Sequence, residues 1–392
     1  MKRRRRRRPH ISKIPMDLVM GEILTRLPAK SLMRFKCVSK LWSSLIRSQY
    51  FTHRFFTVSS QPRPRFYICL ADLANNYSTV ISAPQTSSCF VVDHDLTAPR
   101  RGGYIWQNLR GFMCYTFYRK PRIYNPATRQ LVTLPTFKSK FIPPAPSERV
   151  EAVYYYFGHD PVNDQYKVIC SIAPKHNQIM PEHWVFVLKP RGSWKKMAPP
   201  DFCPHIPAAT RRGLSINGVI YYLVLIDLYV YAVVSFDIRS EEFKLILVPR
   251  RDEDDLIPGR VKKVSLMEYD GKVIVLDFSH LTDKGVLDLW VLENAGNKEW
   301  SRKTLVLQPS QLHLVDNLTF KVGCTTQHGK VFFAPYDLIS PFHILCYDLP
   351  RNDMTKIEIK GIPDHWFSKD KANTRFQLMF MDQGESILYL DI

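Results

Sequence analysis

The chain has 392 residues, 45% of them hydrophobic and 12% aromatic, with a formal net charge of +19. That apolar content supports a large core, and the length suits two or three domains or one large β domain beside a small module, which excludes a wholly disordered chain. The eight cysteines, at 37, 69, 89, 114, 170, 203, 324 and 346, form no close pair, so zinc ribbons and thioredoxin-like motifs are excluded, nothing suggests a disulfide framework, and a reducing compartment fits.

The chain opens with Lys2, Arg3, Arg4, Arg5, Arg6, Arg7 and Arg8, and their seven charges leave +12 for the remainder. Like charges with nothing apolar to bury make residues 1–10 a solvated tail. It can serve as a nuclear-import signal, as a grip on RNA or DNA, or for solubility alone. No helix-turn-helix, zinc-finger or RNA-recognition signature follows, so sequence-specific nucleic-acid readout is not expected. No apolar stretch follows closely enough for a secretory signal, and the expected location is nucleus, cytoplasm or both.

Residues 11–56 read as a short helical cluster. Pro15 suits a first helical turn and Pro28 ends that helix. At about 100° per residue, Met16, Val19, Met20, Ile23, Leu24 and Leu27 share one arc, with Asp17, Glu22, Thr25 and Arg26 opposite and Leu18 on the polar side. Ser31 is placed to cap "LMRFKCV" and Ser39 to cap "KLWSSLI". So short a segment rarely sustains its own core, so some of its many large apolar side chains should pack elsewhere, on a partner or as a cap on the downstream domain.

The order of residues in "IPMDLVMGEIL", "RLPAKSLMRFKCVSKLW" resembles the F-box, the adaptor-binding module of Skp, cullin and F-box ubiquitin ligases. The resemblance implies that Pro15, Leu18, Ile23, Leu24, Leu27, Pro28, Leu32, Val38 and Trp42 form the core and adaptor-facing surface, with Trp42 the leading candidate for internal packing. Between Pro15 and Glu22 this chain is one residue longer than the usual pattern, with Gly21 the extra residue. An insertion rotates everything before it by about 100°. A π-bulge at Gly21 would absorb it; otherwise the first turn is misaligned and docking weakens.

From about residue 60 the chain turns to β-type runs. The segment "GVIYYLVLIDLYVYAVVSF", residues 218–236, approaches the length of a bilayer span, but Asp227 at its centre and its β-branched and aromatic content favour two buried strands joined around "IDLY". One unit recurs five times as "RIYNPATRQLVTLP", "WVFVLKPRGSWKKMAPP", "VSFDIRSEEFKLILVP", "LWVLENAGNKEWSRKTLVL" and "ILCYDLPRNDMTKIEI", with Tyr124, Phe186, Phe236, Trp290 and Tyr347 in step. A second hairpin feature, centred on Gly218, Gly271 and Gly329, keeps the same period. Two hairpins per roughly 55 residues is the signature of a four-stranded blade, and about six such units fit residues 60–392. A six-bladed β-propeller is therefore expected, with a β-sandwich pair as the competitor. The last repeat ends at "ESILYLDI", read as one strand lacking its partner, and "RFYICL" at 65–70 is expected to supply the missing outer strand so that both ends share a blade.

These repeats, in "FGHDPVNDQYKVI", "SINGVIYYL", "VVSFDIRSEEFKLI" and "GVLDLWVLENAGNKEWS", resemble the C-terminal F-box-associated domain of plant F-box proteins, related in style to kelch propellers. The expected organisation is a tail at 1–10, a three-helix F-box module at 11–56 and a propeller at 60–392.

No catalytic constellation stands out. The acids of "RRDEDDLIPG" at 250–259 read as a solvated linker, His159 and Asp160 as part of a turn, and the twelve histidines lack metal-ligand spacing. No cofactor, metal or membrane partner is expected. Recognition is assigned to loops at one end of the propeller: "FKSKFIPPAPSER", "APKHNQIMPEH", "PPDFCPHIPAATRR" and "IPDHWFSKDK". The resemblance implies a non-catalytic substrate receptor that binds a Skp-type adaptor, through it a cullin, and a protein target. The alternatives are a basic nucleic-acid-binding propeller whose helices are only a cap, and a propeller enzyme, which would need pocket carboxylates that the repeats do not offer.

Overall fold

A computed structural model describes residues 15–58, 65–72, 74–75, 77–84, 89–99, 104–117, 120–139, 141, 152–173, 180–202, 206–207, 212–227, 230–249, 263–316, 319–367, 374–381 and 386–390. The arginine tail, the acidic run 250–259 and large parts of the loops at 137–149, 173–183 and 199–212 lie outside the described residues.

The N-terminal module is helical: a turn α1 (Met16–Leu18), a π-helical turn (Val19–Ile23), a 3-10 turn (Leu24–Arg26), then α2 (Ala29–Phe35), α3 (Lys40–Arg47) and α4 (Gln49–Val58). Pro15 and Pro28 stand at the N-caps of α1 and α2, where the fixed proline φ costs nothing. Ser39 caps α3 as expected, accepting from Trp42 N at 3.2 Å. Ser31 does not cap: α2 already begins at Ala29, so Ser31 lies inside it.

The β region is six sheets arranged as blades. Blade 1 holds β1 (Arg65–Asp72), β2 (Tyr77–Pro84) and β4 (Asp93–Pro99), while β3 (Phe90–Val91) leaves it. Blade 2 is β5 (Tyr104–Leu109), β6 (Phe112–Phe117), β7 (Lys120–Tyr124) and β8 (Leu131–Thr133). Blade 3 is β9 (Ala152–Asp160), β10 (Gln165–Ala173), β11 (Glu182–Val187) and β12 (Trp194–Lys196). Blade 4 contains β13 (Ile206–Pro207), β14 (Gly213–Ile216), β15 (Val219–Asp227), β16 (Val230–Asp237) and β17 (Phe243–Leu247). Blade 5 is β18 (Val264–Tyr269), β19 (Lys272–Asp277), β20 (Val286–Asn294) and β21 (Glu299–Val306), with a short helix α5 (Leu281–Lys284). Blade 6 is β22 (Phe320–Thr325), β23 (Lys330–Pro335), β24 (His343–Asp348) and β25 (Asp353–Lys360). The final strand, β26 (Thr374–Met381), completes blade 1.

The apolar run 218–236 is indeed two strands, β15 and β16, paired antiparallel. Each repeat aromatic lies on the third strand of its blade, and Phe186, Phe236 and Tyr347 are fully enclosed. Gly218, Gly271 and Gly329 take positive φ in the turns between first and second strands, a backbone region that glycine enters without steric cost.

Closure differs from expectation in one respect. The strand order β26-β1-β2-β4 makes the C-terminal strand the innermost one, so the segment containing "RFYICL" lies second from the axis and not at the rim. Packing runs in a ring from β26 to β5, β9, β14, β18, β22 and back to β26. A second clasp is β3, which pairs parallel with β25 at Ile359 and Lys360 and ties the edge of the last blade to the first. Six apolar clusters fill the six blade-to-blade interfaces, which is why the strands read as continuous hydrophobic runs.

The described part of "ESILYLDI", residues 386–390, is not a strand. Over Ser386–Leu390 the backbone is extended but pairs with no sheet, and its polar groups bond to side chains of blade 2. Asn125 Nδ2 donates to Ser386 O and Leu388 O at 2.8 and 3.1 Å, and Gln130 bonds both Leu390 O and Leu390 N. Its side chains alternate between two bodies: Ile387 enters the core of the helical module, whereas Leu388 and Leu390 join the cluster between blades 2 and 3.

Candidate adaptor-docking surface

The helical module has a small core of Leu24, Ala29, Leu32, Ile46, Phe51 and Phe55, completed by Ile387 from the C-terminal strap. What remains outside is unusual. Met16, Leu18, Ile23, Phe35, Val38, Leu41, Tyr50 and Val58 are all exposed large apolar side chains, half of the sixteen such residues described in the protein. Scattered apolar side chains need no explanation, but eight on 44 described residues is a dense set for so small a module.

The π turn sets that face. Leu24 N donates to Val19 O, five residues back, so the extra residue at Gly21 is absorbed within the helix. Thr25 Oγ1 then satisfies Gly21 O at 2.7 Å, and Thr25 becomes buried although a straight count puts it on the polar side. Met16 and Ile23 move the other way, out of the apolar arc to 41% and 46% exposure, and join Leu18 at 51%. Gly21 itself is buried under the Arg54 guanidinium, whose Nη2 would lie 3.1 Å from an added Cβ. Phe35 and Trp42 stack at 5.6 Å between ring centroids and extend the apolar face across α2 and α3.

Two family matches fall on these two bodies. The F-box domain matches residues 11–54, and the F-box associated beta propeller domain matches residues 65–383. The chain belongs to the F-box-associated propeller family. An F-box protein of Arabidopsis thaliana is 46% identical over 408 residues, covering 100% of this chain and 98% of its own. An Arabidopsis thaliana F-box/LRR-repeat protein is 45% identical over 386 residues, covering 96% and 87%. F-box only protein 8 of the same plant is 47% identical over 258 residues, covering 64% and 85%.

The F-box is N-terminal and the propeller match stops at 383, so the placement of the propeller at the chain's very end is corrected: residues 386–390 are a strap between the two bodies. Of the nine adaptor-facing residues implied by the resemblance, Leu24 and Leu32 are enclosed in the F-box core. Leu27 and Trp42 are half-buried, so Trp42 is less interior than those two leucines. Pro15, Leu18, Ile23, Pro28 and Val38 are exposed.

The F-box does not stand free of the propeller. Gln49 Nε2 on α4 donates to Asp164 Oδ2 at 2.9 Å, and Asp164 Oδ1 accepts from His159 Nε2 at 2.7 Å. Arg110 Nη1 lies 2.7 Å from His159 Nδ1, and its guanidinium sits 4.9 Å from the Phe56 ring. Arg110 Nη1 is also 2.9 Å from His159 Nε2, so the guanidinium lies against the ring and opposes its protonation. Burial lowers its pKa, opposed by the Asp164 hydrogen bond and aided by the Arg110 charge. Asp164 is held below its ordinary value by its bonds to His159 and Gln49 against the cost of burial. His159 and Asp160 are the last two residues of β9 and not part of the turn as expected; the turn follows at 161–164, and Asp160 Oδ1 accepts from Val162 N at 2.9 Å, with Arg239 at 3.5 Å. Tyr389 of the strap adds to the same seam, with Lys36 Nζ 3.7 Å above its ring and its hydroxyl 3.6 Å from Met33 Sδ. Burial and the Arg47 charge push the Lys36 pKa down to about 8.

Sequence reasoning missed Gln49, Arg110, Asp164 and the strap residues Ile387 and Tyr389. The "SILYL" alternation was visible, but nothing local says that an extended segment with two apolar faces will lie between two bodies. Among the described residues no group of His, Cys, Asp and Glu is arranged to hold a metal, and no helix is long and apolar enough to cross a membrane.

Proposed function

We propose that this F-box protein is the substrate-receptor subunit of a Skp, cullin and F-box ubiquitin ligase. The F-box docks on a Skp-type adaptor and through it a cullin, while the propeller holds a protein target. The observation that carries the reading is the exposed apolar face of Met16, Leu18, Ile23, Phe35, Val38 and Leu41, left outside an F-box core that is already closed. The chain's contribution is positional: it raises the effective concentration of target lysines near a conjugating enzyme supplied by other subunits, and it needs no catalytic group of its own. The arginine tail is read as a nuclear address, consistent with a nuclear or cytoplasmic ligase.

The test is binding of the full chain to a purified Skp-type adaptor, beside Leu18→Asp with Ile23→Asp. Both residues are exposed, so the double variant should keep its unfolding midpoint and lose affinity by at least about 30-fold. Leu24→Asp is a poor choice, because Leu24 is 1% exposed and a charge there would unfold the module. Unchanged affinity in the double variant, or no binding by the intact chain, sinks the reading. A nucleic-acid-binding propeller would then lead, and would show affinity for RNA that falls steeply with salt and survives loss of residues 1–8.

A further inference from the structure

Between Glu22 and Asp72 the sequence has no acidic residue, so α2, α3 and the link between them carry only positive charge: Lys30, Arg34, Lys36, Lys40 and Arg47. The link is residues 36–39, and it ends at Ser39. Ser39 has an extended backbone, φ −159° and ψ 163°, and stands in an exposed run at 37–41. Its hydroxyl accepts from Trp42 N at 3.2 Å as the cap of α3. The other serines described in the module are less available. Ser31, Ser43 and Ser44 lie inside helices, and the Ser48 hydroxyl donates to Leu45 O at 2.7 Å while accepting from Phe51 N.

An exposed hydroxyl on extended backbone is the form in which a protein kinase takes its acceptor, because the oxygen must come in line with the γ-phosphorus of the nucleotide. Kinases discriminate among serines largely by the charge of the flanking residues. Arg34 and Lys36 stand five and three residues before this hydroxyl and Lys40 directly after it, a pattern that suits a kinase with an acidic groove and repels one with a basic groove.

The position gives such a modification a consequence. Val38 directly precedes Ser39 and Leu41 follows two residues on, 65% and 57% exposed, and the stacked pair Phe35 and Trp42 continues the same apolar face. A docked partner would bury a phosphate there against apolar surface, which costs far more than burying a hydroxyl. The helix itself would tolerate the group. Phosphate oxygens can still accept from Trp42 N, and a negative charge suits the positive end of the helix dipole.

We propose that Ser39 is a phosphorylation site for a basophilic serine kinase and that its phosphate releases the adaptor. The proposal rests on the substrate-receptor reading. Ser39 Oγ attacks the γ-phosphorus of magnesium ATP; an O–P bond forms, the bond from that phosphorus to the β,γ-bridging oxygen breaks, ADP leaves, and the hydroxyl proton passes to a carboxylate of the kinase.

The experiment treats the full chain with magnesium ATP and either a basophilic kinase of the protein kinase C type or an acidophilic kinase of the casein kinase type, and locates phosphate by peptide mass spectrometry. The first should modify Ser39 and the second should not. Arg34→Gln with Lys36→Gln should slow incorporation at Ser39 at least about tenfold. The phosphorylated chain should bind a purified Skp-type adaptor at least about 30-fold more weakly than the untreated chain, with its unfolding midpoint unchanged or raised. Ser39→Asn keeps a capping oxygen and accepts no phosphate, so its adaptor affinity should be the same before and after treatment. An unmodified Ser39, an affinity unchanged by its phosphate, or a lowered midpoint that traces the loss to unfolding would overturn the proposal. If the untreated chain does not bind the adaptor, the receptor reading itself falls; if it binds and phosphate on Ser39 changes nothing, this proposal alone falls.

Discussion

Two sets of charged side chains, one on each face of the propeller, are held by different kinds of partner. On the face that meets the F-box, polar groups are matched: Asp164 with His159 and Gln49, Asp160 with Arg239, and Glu241 with both Lys167 at 2.8 Å and Lys195 at 3.0 Å. On the far face, Arg212 and Lys321 meet backbone carbonyls and other cations. The first pattern is that of an interior contact already made. The second, among the described residues, is that of cations held by backbone carbonyls, and burial of Lys321 beside like charges carries a cost in stability there.

The contrast can be broken at several points. The largest effect is expected from Ile387→Ala, which empties the place where the strap enters the F-box core: a loss of about 2–4 kcal/mol in urea unfolding, with the F-box becoming protease-sensitive before the propeller. Gly158→Ala should cost about 1–3 kcal/mol by the same measurement. Its added Cβ would come within 2.5 Å of Ile220 Cγ1 and Ile238 Cδ1, so blades 3 and 4 would have to part.

Lys321→Met should act with the opposite sign and raise stability at pH 7 by about 1–2 kcal/mol after allowance for solvent screening. The folded pKa of about 8 lies below the ordinary lysine value of 10.5, so the cost is fully present below the folded value and fades as the pH climbs toward the unfolded one. Wild-type stability should therefore gain between those two pH values relative to the variant. A destabilised Lys321→Met chain would mean that the lysine is a needed part of the fold, and the asymmetry between the two faces would disappear.

The smallest effect sharpens the matched face. The His159 pKa is lowered from 6.5, so its contribution to stability is complete above that value and is lost as the pH falls through the folded pKa. His159→Gln should flatten the pH dependence of unfolding below pH 6.5. An unchanged slope would show that the seam does not feel this proton.

Much of this architecture was legible because blades repeat. The aromatics from Tyr124 to Tyr347 and the glycines from Gly218 to Gly329 recur because each blade must solve the same turn and packing problem. Gly21 was legible as an insertion, and the π turn is the physical answer to an extra residue between two helical turns that must both face the core. Gly158 was not legible. Its φ is ordinary, and the need for glycine comes from two isoleucines more than sixty residues away. Arg212 and Lys321 were equally hidden, since a basic residue at the start of a strand looks the same whether it points to solvent or across an axis.

The sequence by itself determined a helical module, six units of four strands and a closed ring, because periodicity and turn chemistry are local and each copy reinforces the others. Tertiary structure decided which strand stands at the axis, where "SILYL" goes and which cations face one another. Each of those depends on groups far apart in the chain, brought together by closing the ring, and no window of neighbouring residues contains that information.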